Sequence, residues 1–381
     1  MKICFFTTTI YGDGGVSRVL SVLANALADK YDITIVTLEN KQNENREKYN
    51  LSDKINVNHM KNILKTIGLV FGLGLFMQAC DDWTMPEANI IQNLDGTPKS
   101  EEYYRKLRAY KKTDHQIAFG WFGFWNGGTS TSARGSLRSA PDSMDIISIW
   151  GDKYNLTQNH IDDMRYVQEV YGTRITFTLF SHNMSNLFKG GVCPFENKAE
   201  DIPAAAKALS DSIFKYGYDG IDFDHECSAG DLFYNKDNMT TLLREMRKNL
   251  GPDKLIMVDG HISYITEEGW QYADYAVSQA YNTSAPSRLQ SRYNGVSKYI
   301  GPERLIVTEN FESYWKNGGV TYTDEEGNKM PSLLGMAGWH PEEGRKGGCG
   351  AYHMEYEYAH DPEYKFMRQA IQIMNPANPN N

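Results

Sequence analysis

Cysteine is scarce in this chain: five in 381 residues, at Cys4, Cys80, Cys193, Cys227 and Cys349. So few, spread so widely, exclude a disulfide scaffold and a zinc ribbon. Positive charge is also short. Lys and Arg total 39 against 48 Asp and Glu, a formal net charge of −9, which disfavours phosphate backbones, so no nucleic-acid partner is expected. The Gly-spaced apolar run Ile67–Met77 is too short to cross a hydrocarbon layer of roughly 30 Å. There is no H-x-H pair and no H-E-x-x-H run, the spacings that place two imidazoles on one metal. What is present is an ordinary globular mixture, 41% hydrophobic and 23% charged, with no sign of wholesale disorder. Aromatics reach 12%, 24 of them tyrosine; most belong in a core, and the surplus suits flat ligands.

Three segments differ in style. Residues 1–59 open with an apolar strand, Lys2–Thr9, a glycine turn (Gly12, Gly14, Gly15) and a helix over Val16–Ala28. Val19, Leu20, Val22, Leu23 and Leu27 are expected to form that helix's apolar face. A second strand follows at Ile33–Leu38. This βαβ opening with a Gly-rich helix start resembles the first unit of a glycosyltransferase of the two-Rossmann-domain type. Nothing downstream supplies the second domain such an enzyme needs, so no transferase activity is expected.

Residues 60–80 read differently. Met60-Lys61-Asn62-Ile63-Leu64-Lys65 is a short basic start, Ile67–Met77 is apolar, and Gln78-Ala79-Cys80 closes the segment. Basic, apolar and small residues in that order form a secretory signal peptide; the alternative is a buried core helix. With Asp81 and Asp82 behind it, Cys80 resembles the lipid-bearing first residue of a bacterial lipoprotein. Met77 and Gln78 depart from the usual pattern, which has Leu and a smaller residue there. A signal works only at a free N-terminus. The sequence-based expectation is therefore that translation starts at Met60, that Cys80 anchors the protein to an outer membrane or cell surface, and that residues 1–59 are foreign to it. Residues 81–112 form a polar spacer and a lead-in helix near Glu101–Lys112, 113–374 the main domain, and 375–381 an Asn/Pro-rich tail.

Eight short β-rich segments mark the main domain: Gln116–Trp125, Met144–Trp150, Arg174–Ser181, Tyr218–Glu226, Leu255–His261, Ala276–Asn282, Leu305–Phe311 and Gly350–Tyr356. Helical runs such as Ala204–Tyr216 and Asn238–Leu250 fill the gaps. Strands alternating with helices in this rhythm predict an α/β fold, a (β/α)8 TIM barrel, with a doubly wound open sheet as the competing arrangement.

The fourth segment reads Tyr218-Asp219-Gly220-Ile221-Asp222-Phe223-Asp224-His225-Glu226. Side chains alternate along a strand, so Asp222, Asp224 and Glu226 share one face while Ile221 and Phe223 share the other. In isolation the acids could face water. In a barrel the outer face is covered by helices, which sends the acids inward toward the C-terminal mouth, where such barrels place their chemistry. Two aspartates beneath Glu226 are expected to raise its pKa and let it act as a general acid. Asp224 is placed to stabilise positive charge, and Asp222 to share a proton with it. The set suits acid-assisted cleavage of a glycosidic bond.

D-G-I-D-F-D-H-E is similar to the D-x-x-D-x-D-x-E signature of glycoside hydrolase family 18, the chitinases and endo-β-N-acetylglucosaminidases, and the resemblance runs over about residues 84–375. It implies that Glu226 is the acid/base, that Asp224 orients the substrate's own acetamide for attack on the anomeric carbon, that Asp222 supports Asp224, and that Asp219 is structural. Ser278-Gln279-Ala280-Tyr281-Asn282 resembles the family's tyrosine strand, with Tyr281 donating to the acetamide carbonyl and Gln279 and Asn282 beside it. Asp82-Trp83-Thr84 and Gly120-Trp121-Phe122-Gly123-Phe124-Trp125-Asn126-Gly127 look most like lipoprotein members from Bacteroidetes-type bacteria, which act on host N-glycans. The implied activity is cleavage of the di-N-acetylchitobiose core of N-glycans, or of another GlcNAc-containing oligosaccharide, without a cofactor. The third strand ends Phe180-Ser181-His182-Asn183 and lacks the Ser-x-Gly-Gly of chitinases, which disfavours a chitinase. A surface glycan-binding lipoprotein without turnover is the other alternative.

Further candidates rest on position. Trp121, Phe124, Trp125 and Tyr356 are expected as a stacking floor for sugar, with core packing as the alternative role. Glu309, Asn310 and Glu312 are expected to bind hydroxyls, or to lie in a solvated loop. His182, His225, His261 and His353 also fall near strand ends and raise a metal-dependent hydrolase. His225 is out of phase with the acids, and no metal is expected.

Overall fold

The computed structural model describes residues 2–7, 10–11, 15–38, 45–59, 99–151 and 153–376, in two compact units drawn from residues 1–87 and 88–381. The signal-like segment 60–80 with Cys80, together with Gly12, Gly14 and the extreme tail, lies outside the described residues.

In the first unit, strands β1 (Lys2–Thr7), β2 (Asp32–Thr37) and β3 (Asn56–His59) form a parallel sheet in the order β1-β2-β3. The helix Gly15–Leu27 follows β1. Strand β3 was not anticipated from sequence. The helix buries its expected face only in part: Leu20 and Leu27 pack against the core of this unit, beside the buried Ser17, Ser21 and Ala24, whereas Val19, Val22 and Leu23 are exposed. Small residues at i, i+4 and i+7 line one helical face, and Ser21 satisfies its hydroxyl by donating to the Ser17 carbonyl.

The second unit is a closed barrel of eight parallel strands. They are β4 (Ile117–Phe122), β5 (Ile146–Ile149), β6 (Arg174–Phe180), β7 (Gly220–His225), β8 (Leu255–Gly260), β9 (Tyr275–Ser278), β10 (Leu305–Asn310) and, after a small hairpin of β11 (Thr321–Thr323) and β12 (Lys329–Pro331), β13 (Gly348–Tyr352). All eight expected segments are present, most of them shorter at the ends. The sixth stops at Ser278, so Gln279, Tyr281 and Asn282 follow the strand. The eighth stops at Tyr352, which puts Tyr356 in the 3-10 turn Met354–Ala359.

Period-two alternation builds two cores. Phe119, Trp121, Ile146, Leu255, Met257, Val277 and Ile306 fill the barrel interior. Ala118, Phe122, Ile221, Phe223, Ile256 and Val258 face outward onto helices such as Ile202–Tyr216, which buries Ala205, Ala206, Leu209 and Ile213. The lead-in helix Glu101–Tyr110, capped by Ser100, stacks Tyr104 on Tyr171 at 5.5 Å. Gly220 is demanded by packing, because a side chain there would collide with the Leu255 carbonyl on β8.

Candidate active site

Strand β7 delivers its acids as the alternation requires. Asp222 and Asp224 point into the barrel, 0% and 3% exposed, while Glu226, just beyond the strand, is exposed at the mouth. Asp222 Oδ2 accepts from Trp121 Nε1 at 2.8 Å and from Thr178 Oγ1 at 3.1 Å. Burial pushes Asp222 up to about 6. Burial, then the charges of Glu226 and Asp222, pushes Asp224 up to about 8.

Room for Glu226 comes from Gly260, the last residue of β8. Its φ of +78° favours glycine, and an added Cβ would sit 3.0 Å from Glu226 Cγ and 3.0 Å from the His225 carbonyl oxygen. Tyr281 is half-buried after β9, and burial followed by the charges of Asp259 and Asp224 drives its phenol far above its ordinary value. It therefore stays a hydrogen-bond donor throughout the neutral range. Its ring lies 6.1 Å from that of Tyr352, which in turn meets Trp150 edge-on at 5.5 Å and Trp121 at 6.2 Å. Burial, then the charge of the exposed Glu312, expected among the hydroxyl-binding candidates, raises the Tyr352 phenol above its ordinary value.

Several expected sugar contacts are corrected by the fold. Trp121 is 2% exposed and serves as Asp222's donor, so it underlies the site without offering a face. Trp125 turns away to donate to Asp163 Oδ2 at 3.0 Å and to meet His160 edge-on, both on the helix Gln158–Tyr166. Glu309 is 0% exposed and spends both oxygens internally, accepting from the Asn282 and Asn310 amides and from Ser332 Oγ; nothing is left for a hydroxyl. Asn310 caps the short helix Phe311–Tyr314 through Ser313 N. Asn282 has a left-handed backbone, with φ of +59°. Phe124, 51% exposed, and Tyr356 form a rim patch with His353, under the Arg134 guanidinium, and the His353 ring joins that patch to Tyr352 at 4.4 Å. The aromatic at the centre is Tyr352, which the strand-end reasoning passed over although it lies in the last strand, in phase with Gly348 and Gly350.

A fourth acid was also missed. Asp259 on β8 sits in register beside Asp224, and Gln279 Nε2 donates to Asp259 Oδ1 at 2.6 Å and, more weakly, to Asp224 Oδ1 at 3.4 Å. The available signal was an acid ending the apolar run Leu255–Val258. Asp219, just before the start of β7, accepts from Gln168 Nε2 at 2.6 Å and Ile175 N at 2.9 Å. Asp219→Ala should therefore cost about 1–3 kcal/mol, read by urea unfolding.

Among the histidines, His225 contacts Ser181 Oγ at 2.9 Å, and burial pushes it down to about 4, so it is neutral at pH 7. Among the described residues no group of three or more His, Cys, Asp or Glu is placed to hold a metal ion.

The endo-β-N-acetylglucosaminidase F2 of Elizabethkingia meningoseptica is 26% identical over 75% of this chain and 90% of its own length. The streptococcal endo-β-N-acetylglucosaminidase EndoS (Streptococcus pyogenes serotype M1) is 24% identical over 66% of this chain, which spans only 31% of it. A solved structure of a glutamate-to-glutamine variant of BT1044 superposes with a TM-score of 0.68 at 29% identity, covering 74% of this chain and 94% of that one. The Cordyceps militaris endo-β-N-acetylglucosaminidase, at 22% identity and a TM-score of 0.57 over 74% of this chain and 99% of its own, shares the fold. Residues 84–373 match the model for glycoside hydrolase family 18, BT1044-like. With eight parallel strands closed around an acidic column and this match over most of its length, the chain belongs to glycoside hydrolase family 18.

Proposed function

We propose that the protein is an endo-β-N-acetylglucosaminidase that cleaves the di-N-acetylchitobiose core of N-glycans with retention, using the substrate's acetamide as nucleophile. The observation that carries this reading is the inward column of Asp222 and Asp224 ending in the solvent-reaching Glu226, with the protonated Tyr281 across from it. Glu226 gives its proton to the leaving glycosidic oxygen. The acetamide carbonyl oxygen then bonds to the anomeric carbon, and the oxazolinium ion that forms is stabilised by Asp224 at its N–H. Tyr281 donates to the attacking oxygen and fixes its angle. Water, deprotonated by Glu226, opens the ring and restores the acid.

Similarity supports the substrate class. The relatives named above are endo-β-N-acetylglucosaminidases, and a Cordyceps militaris variant at 21% identity was solved with fucosyl-N-acetylglucosamine-Asn. The direct test is incubation with a high-mannose glycoprotein and mass analysis of the released glycan. A protein that binds the glycan and releases nothing would be a lectin-like relative, and cleavage of chitooligosaccharides instead would mark a chitinase. A second test reads the geometry: Gly260→Ala should push Glu226 aside and lower kcat by roughly 10²-fold, with the melting temperature tracking any separate folding cost.

A further inference from the structure

The mechanism just described assigns no role to Asp259, which is 1% exposed. Its Oδ1 accepts from Gln279 Nε2. Its Oδ2 receives no donor from a neighbouring N–H or hydroxyl, and neither does the buried Asp222 Oδ1. The two undersupplied oxygens belong to carboxyls in hydrogen-bond contact with each other, and Asp259 reaches Asp224 as well. Two ionised carboxylates cannot make that contact, because each only accepts. A proton has to lie between them.

We propose that this proton resides on Asp259, a positioning residue that donates through Oδ2 to Asp222 Oδ1 and holds Asp222 as the charged base of the column. The choice between the two follows from their other partners. Asp222 Oδ2 takes two donors, from Trp121 and Thr178, which favour its ionised form. Asp259 has one donor, and its deep burial beside Asp222 and Asp224 favours the neutral acid. The titratable groups facing Asp259 are Asp222 and Asp224 on β7 and Tyr281 beyond β9. With Asp222 supplied from β8, Asp224 need not turn down to feed it, and its carboxyl is free to face Glu226 and the acetamide. That consequence rests on the proposed hydrolysis; the proton's position is a property of the resting protein.

The test uses the full chain at neutral pH, comparing wild type with Asp259→Asn and Asp259→Ala by infrared difference spectroscopy and by kcat. Asparagine keeps both the donor toward Asp222 and the acceptor for Gln279 but has no acidic proton. Asp259→Asn is expected to lose one protonated-carboxyl C=O band, one that shifts in deuterium oxide, while keeping kcat within about threefold of wild type. Asp259→Ala, with no donor, should fall by roughly tenfold to a hundredfold. An undiminished carboxylic-acid band in Asp259→Asn overturns the proposal, as does an equal loss of kcat in both variants at matched thermal stability. Should the wild type release no glycan, the hydrolytic reading fails and the infrared comparison still decides where the proton lies.

Discussion

Glu226→Gln is expected to reduce kcat on a glycoprotein substrate by about 10²–10⁴-fold while leaving glycan binding close to wild type. Glutamine is nearly isosteric and Glu226 is exposed at the mouth, so the change removes a transferable proton with little disturbance of packing. The uncharged amide still offers a hydrogen bond to the glycosidic oxygen, which preserves ground-state recognition. A fall in kcat with KM nearly unchanged is the signature of a contact made in the transition state. Stopped assays with mass-spectrometric detection of free glycan, paired with calorimetric titration of the same glycan, check both halves. Wild-type turnover in this variant would remove Glu226 from the mechanism.

Asp224→Asn should move activity and stability in opposite directions. An amide cannot stabilise the positive charge of the oxazolinium ion, and a loss of about 10²–10³-fold in kcat is expected. Stability should rise. The folded-state pKa of Asp224 is raised to about 8 by burial and then by Glu226 and Asp222. The sign of the linkage follows: an acid with a raised folded pKa loses stabilising free energy as pH climbs from its unfolded value, near 4, through about 8. Wild type therefore carries a growing penalty across that window, and the asparagine variant does not. Melting curves should diverge by on the order of 5 °C at pH 8 and converge toward pH 4. A melting temperature that falls at pH 8 would show that Asp224 is held by contacts worth more than its buried charge costs. Stability sacrificed at a site for function is the pattern expected of a working active centre.

How much of this could be read in advance depends on which interactions are local. The spacing Asp222, Asp224, Glu226 was legible because a strand alternates its faces whatever surrounds it. The inward direction followed once helices were inferred on the outside. Tyr281 was legible through a motif two strands away. Glu309 was misread because a carboxylate at a strand end looks the same in sequence whether it faces solvent or meets the amides of Asn282 and Asn310. Trp125 was misread for a similar reason, its partner Asp163 lying on a helix 38 residues away. In the first unit the larger residues Val19 and Val22 drew attention as the core face, yet Ser17, Ser21 and Ala24 are the ones buried.

The order of residues by itself determined the strand-and-helix rhythm, the inward file on β7 and the membership of the family, because these follow from backbone periodicity and from short contiguous motifs. Only the closed barrel decided that Asp259 stands beside Asp224, that Gln279 bridges them and that Tyr352 occupies the centre. Gln279 reaches Asp259 and Asp224 from 20 and 55 residues away; such contacts are not local, and their register is set by hydrogen bonding between neighbouring strands and by closure of the cylinder.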